Sequence, residues 1–460
     1  MLPDGVLLEI FNVYVDQGQF TKQDIEVWQT LVHVCQRWRT VVFGSPRRLN
    51  LQLVCSPGTP ARDMLDIWPA LPLFIRGYGS YQAESVDNIL ATLERVDRVC
   101  HIILLQVSSS HLEFFSAAIQ VPFPELTELV LNSDGGVLPD SFLGGCAPRL
   151  RHLHLHRIQY LGLPRLLLSA THLVALELLN IPHSGYISPK VMATALCTLT
   201  GLERLWLKFE TPRTFLDREN RHLPSRPVLP ALTSLMFRGV SEYLEDLLAL
   251  IDAPRLNQLI MTFFNQISFE TPRIIQFINR TPSLKALEKA HVAFANGTAR
   301  IKLTSQTPEY REINVIIACK EFDWQVSSLE QVCTSCLPPL STLEDLYIHQ
   351  NTSSEPGWKD NVENSLWLDL LHPFTATKNL YLSEQFSSRI APALQELVES
   401  GRTEEVLPIL ENIFLERLEP SGPVQEGIWR FVAARQLSAY PITISLWEKY
   451  SERVWVFEYE

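Results

Sequence analysis

Three groupings of side chains have the types and spacing to do chemistry. His152, His154 and His156 alternate with Leu153 and Leu155. On a strand all three would project from one face about 7 Å apart, and two such imidazoles can share a zinc ion. No carboxylate near in sequence completes a ligand set, and outward strand positions often carry histidine, so no metal is expected. Cys333-Thr334-Ser335-Cys336 is a lone Cys-x-x-Cys. A zinc site needs a second pair, and the remaining cysteines are scattered; a redox motif belongs at a helix entry, whereas this one runs into Pro338-Pro339 at a helix end. Structural cysteines are expected. Gly77-Tyr78-Gly79 lacks the later glycine of a dinucleotide loop, since Gln82 stands there, and no Gly-x-Ser-x-Gly, Walker loop or His-Glu-x-x-His occurs. The expectation is a protein that is not an enzyme and takes no cofactor.

The composition narrows the partners. The chain has 460 residues, 46% hydrophobic and 20% charged, which fits a folded protein of several domains or one extended array. A net charge of -12 is repelled by phosphate backbones, so nucleic acid is not an expected partner. The longest stretches without Asp, Glu, Lys or Arg, Val99–Leu112 and Leu256–Phe269, are shorter than the roughly 18 apolar residues a membrane span needs. Met1-Leu2-Pro3-Asp4 carries neither a basic nor an apolar leader segment. Sparse, isolated cysteines suit a reducing compartment, so a cytoplasmic or nuclear place is expected.

What would position any functional group is a repeat. Leu-x-x-Leu-x-Leu occurs at Leu126/Leu129/Leu131, Leu150/Leu153/Leu155, Leu173/Leu176/Leu178 and Leu202/Leu205/Leu207. Degraded copies follow at Leu232/Leu235/Phe237, Leu256/Leu259/Met261 and Leu343/Leu346/Ile348, with weaker ones starting at Val99, Ile313, Thr377 and Leu410. Leu284/Leu287 keeps only two members, and Leu71/Phe74 and Leu49 extend the series toward the N-terminus. The mean interval is about 28 residues, in the range of strand-plus-helix repeats. Pro124, Pro148, Pro230, Pro254 and Pro282 each stand two residues before a first Leu, where proline ends a helix and leads into an extended segment. Amphipathic stretches such as Glu242–Ile251 fill the intervals. The pattern resembles a leucine-rich-repeat solenoid, in which each unit buries its apolar edge only against its neighbours; the rival is a βαβ sheet with accidental spacing. Thr211–Pro230 reads as a surface loop, and Ala293–Thr304 as a hairpin around Asn296-Gly297 that decorates the array. After Glu419-Pro420-Ser421-Gly422-Pro423, an amphipathic helix Gln425–Leu437 is expected to cap the open end.

In such a strand the leucines point inward and the residues between them outward. The central outward positions read Ile103, Val130, His154, Glu177, Trp206, Met236, Ile260, Glu288, Ile317, Tyr347, Tyr381 and Phe414. Large apolar groups in a row on an exposed face suggest a partner surface. Trp206, Met236 and Ile260 are flanked by Arg204, Lys208 and Arg238, an aromatic and arginine grouping typical of binding hot spots. The expected target-binding set is therefore His154, Arg204, Trp206, Lys208, Met236, Arg238, Ile260, Tyr347 and Tyr381. The alternative is that the chain's own loop Thr211–Pro230 or its C-terminal segment covers part of the face.

Residues 1–50 lack the repeat. Leu7, Ile10, Phe11 and Tyr14 form one helical stripe, and Trp28, Leu31, Val34, Cys35, Trp38 and Val41/Val42 a second, separated by polar Asp16–Asp24. So small a unit hides little surface alone, so part of its apolar surface is expected to pack on another protein or on the first repeat.

Leu2-Pro3-Asp4-Gly5-Val6-Leu7-Leu8-Glu9-Ile10-Phe11, followed by Leu31-Val32-His33-Val34-Cys35-Gln36-Arg37-Trp38-Arg39 and by Val42–Leu51, resembles the F-box of fungal F-box proteins of the leucine-rich-repeat subclass. The resemblance implies a non-catalytic substrate receptor of a cullin–RING (SCF-type) ubiquitin ligase. The F-box would dock a Skp-type adaptor, and through it cullin, while the repeats select an unidentified target protein. By position it makes Leu2, Pro3, Leu7, Ile10, Phe11, Leu31, Val34, Cys35 and Trp38 the adaptor-binding or F-box core set. The sequence departs from the family pattern in having only Met1 before Leu2 and a longer loop between the stripes. The expected architecture is α/β: a short N-terminal helical F-box (1–50), an irregular leucine-rich-repeat solenoid (51–418) and a C-terminal capping segment (419–460). The alternative function is a repeat scaffold that binds protein without ligase attachment.

Overall fold

The computed structural model describes residues 2–18, 27–45, 49, 51–67, 70–79, 81–212, 226–264, 269, 271–285, 287–305, 310–350, 362–417, 423–438 and 440–447. The chain divides into two compact units, Met1–Ile187 with Thr198–Leu202, and Ser188–Cys197 with Glu203–Glu460.

The first unit opens with three helices, α1 (Asp4–Gly18), α2 (Val27–Val34) and α3 (Gln36–Gly44). The second stripe is thus two helices rather than one. Cys35 is extended and caps α3, its Sγ accepting from the Trp38 N–H at 3.5 Å. Leu7, Leu8, Phe11, Trp28, Leu31, Val32, Val41 and Val42 are buried between the helices, with Phe11 against Trp38 at 4.8 Å. Arg37 ties α3 to the start of α1 through Asp4 at 2.6 Å and the Leu2 carbonyl. The helices are also tied to the chain just before the first strand: the Trp28 indole donates to the Gln52 carbonyl at 3.0 Å.

Strands and helices then alternate: β1 (Leu53–Cys55), α4 (Ala61–Ile67), β2 (Leu73–Tyr78), α5 (Ala83–Leu93), β3 (Val99–Val107), α6 (Ser109–Ala118), β4 (Glu128–Ser133), β5 (His152–His156), α7 (Leu163–Ser169) and β6 (Ala175–Ile181). All six strands pair in parallel, in chain order. The leucine spelling fixes the register. Leu129 pairs with Leu153 and Leu153 with Leu176, while Leu131 pairs with Leu155 and Leu155 with Leu178, and all six are buried. The extension at Leu71/Phe74 is one residue out of phase: Ile75 is the buried residue aligned with Ile102, and Phe74 faces outward beside His101.

The second unit repeats the plan with α8 (Pro189–Leu196), β7 (Arg204–Phe209), β8 (Ser234–Gly239), α9 (Ser241–Leu250), β9 (Gln258–Phe264), α10 (Pro272–Arg280), β10 (Lys289–Ala295), β11 (Thr298–Thr304), β12 (Glu312–Ala318), α11 (Phe322–Ser335), β13 (Asp345–Gln350), α12 (Asn364–Leu371), β14 (Asn379–Leu382), α13 (Glu384–Glu399), β15 (Asn412–Leu415), α14 (Pro423–Leu437) and β16 (Thr443–Leu446). Its strands lie in the order β7-β8-β9-β12-β11-β10-β13-β14-β15-β16. The hairpin β10–β11 turns at Gly297, whose φ of 81° only glycine adopts freely. It is built into the sheet rather than hung on it: β11 is antiparallel to both neighbours, β12 returns beside β9, and β10 beside β13. This insertion shifts the phase of two copies. Ile317 is buried and inward, so the outward residue aligned with Ile260 is Asn314, and the one aligned with Tyr347 is His291, not Glu288.

A shared turn sets each strand's start. The N–H of the first residue of the copy donates to the carbonyl three residues back at Leu126, Leu150, Leu173 and Leu202 in the first unit. Leu232, Leu256, Leu284, Leu343, Thr377 and Leu410 do the same in the second, all at 3.0 to 3.3 Å. These units of inward leucine strand, turn and helix are the leucine-rich-repeat architecture. The expected helix is present as α14, which packs beside α13 and buries Ile428, Phe431 and Val432, but it does not end the array, since β16 follows it and pairs in parallel with β15. Gly427 permits the close approach, since a Cβ there would lie 3.1 Å from the Ala391 carbonyl oxygen. Most of the expected loop Thr211–Pro230 and the breaker around Glu419–Gly422 fall outside the described residues.

Candidate binding faces

In the first unit the three histidines do share one sheet face, and the carboxylates missing from their own segment come from neighbouring strands. His154 Nδ1 lies 2.9 Å from Glu177 Oε2, and His101 Nδ1 lies 3.0 Å from Glu128 Oε2. The His101 contact holds the Glu128 carboxyl below the usual range against the opposing effect of burial. His156 Nε2 pairs with the Asn180 amide at 2.9 Å. Among the described residues, no three His, Cys, Asp or Glu side chains are grouped to hold a metal ion. Cys333 and Cys336 are buried at the end of α11, and burial pushes both thiols up, Cys336 to about 12. Thiols so raised are poor nucleophiles and poor metal ligands.

The N-terminal helices divide the proposed adaptor set. Leu7, Phe11 and Leu31 are core residues, and Trp38 is half-buried against Phe11. Leu2, Pro3, Ile10, Val34 and Cys35 are exposed. Val13 and Tyr14 join them, so α1 and the end of α2 present large apolar side chains to solvent, Ile10 48% and Val34 58% exposed. Arg37 and Asp4 border this surface.

In the second unit, strand register sorts the outward face into rows. One runs Trp206, Met236, Ile260, Asn314, Lys302, His291, Tyr347, Tyr381, Phe414 and Ser445. Arg204 lies to one side of this row, while Lys208 and Arg238 are paired on the other. Arg204, Trp206, Lys208, Met236, Arg238 and Ile260 are therefore neighbours on β7, β8 and β9, as their spacing implied. The Lys208 ammonium is 5.9 Å from the Trp206 ring centre, and the Arg238 guanidinium 5.2 Å from that of Phe264.

Tyr347 and Tyr381 belong to a different part of the row. Their rings stack at 4.1 Å, continued by His291 on one side at 4.4 Å and Phe414 on the other at 4.4 Å. With faces spent on one another, these rings offer only edges, and the Trp447 ring stands steeply inclined to both tyrosines. Trp447 thus covers part of the face at Tyr347 and Tyr381. Burial, reinforced by His349, Lys302, Lys289 and Arg300, pushes the His291 imidazole down to about 3.

Sequence reasoning missed His291, Lys302, Asn314 and Trp447. The hairpin hid the first three by changing the phase; the fourth lies beyond the last repeat copy. It also missed a ladder one row away, in which the Asn412 amide donates to Asn379 at 2.8 Å and the Asn379 amide to Asp345 at 2.7 Å. Its signal was visible: both asparagines stand just before the second apolar residue of a copy.

No family model matches the chain, and no curated protein matches it. Among solved structures, the leucine-rich repeat-containing protein LegL7 from Legionella pneumophila is 14% identical over 83% of this chain and 97% of that one. Its TM-score is 0.26, too low to carry an argument about this chain.

Proposed function

We propose that this chain is a non-catalytic substrate receptor of a cullin–RING (SCF-type) ubiquitin ligase. Helices α1–α3 dock a Skp-type adaptor, and the repeats hold a target protein. The supporting observation is the exposed apolar surface of Leu2, Ile10, Val13, Tyr14 and Val34 on a helical unit whose core is already filled by Leu7, Phe11 and Leu31. Exposed apolar side chains gathered on so small a unit mark a contact surface. The chemistry belongs to other subunits; this protein contributes proximity and orientation. It needs no cofactor and acts in the cytoplasm or nucleus. The second reading, a repeat scaffold without ligase attachment, rests on the sheet faces alone.

The division into core and surface chooses the test. Leu7→Asp or Trp38→Asp would bury a charge or strip the Phe11 contact, at about 3 kcal/mol or more, and would report on folding. Ile10→Asp with Val34→Asp changes only exposed positions. Full-length protein is expected to recover the adaptor and cullin from cells in stoichiometric amount, and the Ile10/Val34 pair to lose them at least about tenfold with an unchanged melting temperature. Adaptor recovery indifferent to that pair sinks the receptor reading; target recovery without adaptor favours the scaffold.

A further inference from the structure

The exposed apolar side chains of the helical unit come from stretches that the sequence keeps far apart. Leu2 and Ile10 belong to the first ten residues, whereas Val34 closes α2 and Cys35 caps α3, and all four are exposed. A partner meets them as one surface only if the start of α1 is held against the junction of α2 and α3. The buried Leu7, Phe11, Leu31 and Val42 pack the helices together. Leu2 lies outside that packing. The first-turn amides of Val6 and Leu7 both donate to the Pro3 carbonyl at 3.1 Å, so the helix takes hold of the chain at Pro3.

One side chain spans the gap. Arg37 Nη2 donates to the Leu2 carbonyl at 2.5 Å and to Asp4 Oδ1 at 2.6 Å, and Arg37 Nε donates to the same Asp4 oxygen at 3.2 Å. Leu2 and Asp4 flank Pro3, so a single planar fork grips the chain on both sides of the residue where α1 begins. A guanidinium has the fixed donors to do this, and a point charge does not. Both side chains of the ion pair are open to water, Arg37 at 37% and Asp4 at 64%. Exposed ion pairs add little to stability, and an exposed carbonyl can bond water equally well. What the grip fixes is direction. It ties Leu2, 51% exposed, to the helix that begins right after Val34 and Cys35. The far end of α1 has its own tie, the Tyr14 hydroxyl 3.3 Å from that of Thr30 on α2.

We propose, resting on the receptor reading, that Arg37 is a positioning residue for adaptor docking. It sets Leu2 and Pro3 alongside Ile10 and Val34 before the adaptor arrives. A segment ordered beforehand loses less freedom on binding, so the preset surface binds more tightly. Arg37 acts through Leu2 rather than through a contact of its own.

The test is a double-mutant cycle in the full-length chain, read by affinity for the adaptor that the wild-type chain recovers from cells. Arg37→Gln is expected to weaken binding about three- to tenfold with an unchanged melting temperature. Leu2→Ala is expected to lose at least as much. Because Arg37 works through Leu2, Arg37→Gln is expected to cost less than about twofold more once Leu2 is alanine. Arg37→Lys can meet Asp4 but has no fork for the Leu2 carbonyl as well, so it is expected to fall between Arg37→Gln and wild type. Hydrogen exchange of the free protein reads the grip without a partner: the Val6 and Leu7 amides are expected to exchange at least about threefold faster in Arg37→Gln. Losses that multiply in the double variant overturn the proposal, since Arg37 would then touch the adaptor directly. Full affinity in Arg37→Gln, or exchange at Val6 and Leu7 that ignores it, overturns the proposal as well. The Ile10/Val34 pair keeps the two readings apart. Adaptor lost by that pair but held by Arg37→Gln ends this proposal alone. Adaptor absent from wild type, or indifferent to that pair, ends the receptor reading and this proposal with it.

Discussion

The Trp447 and Tyr381 rings form a T, centres 5.7 Å apart and planes 69° off parallel. It follows β16, whose Leu446 aligns with Leu415, and reaches back over β14 and β13 to touch Tyr347 as well. Stacked rings expose positive edges that suit the negative face of another ring, so one indole closes the open side of the tyrosine stack. Trp447→Ala is expected to cost about 1–2 kcal/mol, since aromatic pairs are worth about 0.5–1.5 kcal/mol beyond area burial. Thermal melts with near-ultraviolet circular dichroism check it. A melt and aromatic signal identical to wild type would show that the indole does not hold the stack.

His291 makes stability depend on pH. Its folded value near 3 lies below the usual value near 6.5 for an unfolded histidine. Between those limits the unfolded chain binds the extra proton, so this contribution is complete above about pH 6.5 and falls as pH drops toward 3. The groups facing it, His349, Lys302, Lys289 and Arg300, are basic and oppose a second positive charge. Lowering pH from 7 to 5 is expected to remove about 1–2 kcal/mol through this residue. His291→Phe keeps the stack on Tyr347 without titrating, and denaturant melts of the variant should lose that part of the dependence. A wild-type slope retained in His291→Phe would place the titration elsewhere.

The leucine strands were legible because each reports a local rule: alternate residues face opposite sides, and an inward leucine has one place to go. The hairpin turn at Asn296-Gly297 and helix α14 were legible for the same reason. The pairings were not. His154 with Glu177 and Asn379 with Asp345 join residues one repeat apart, and such pairs become visible only once the register is known. The hairpin then displaced the phase where it enters the sheet, which is why Glu288 and Ile317 stood in for His291 and Asn314. At the N-terminus the apolar stripe ran unbroken through Cys35, since a cysteine cap carries no strong sequence signal, unlike Ser or Asp. The proposed surfaces mix both kinds of information. Spacing collected Arg204, Trp206, Lys208, Met236, Arg238 and Ile260 on adjoining strands, but only the structure separated Ile10 and Val34 from the core residues Leu7 and Phe11.

The Asn379 ladder offers a test of register by charge. The Asn379 amide donates to Asp345 and its carbonyl accepts from Asn412, while the Thr443 hydroxyl donates to Asn412 and Lys289 lies 3.7 Å from Asp345. Each amide uses one donor and its acceptor, so the chain of bonds has a direction that ends on a carboxylate. Asn379→Leu deletes both bonds and leaves Asp345 and Asn412 short of partners, at a cost of about 1–3 kcal/mol. Asn379→Asp removes the donor and sets a second carboxylate against Asp345 across the strand pair, where like charges repel. That variant is expected to lose about 2 kcal/mol or more at pH 7 and to recover part of it near pH 4, when one of the two carboxyls takes a proton. The leucine variant has no such recovery. Denaturant melts of both at the two pH values decide the matter. Equal losses at both pH values for Asn379→Asp would mean that the two side chains do not face each other, and that β13 and β14 pair in another register.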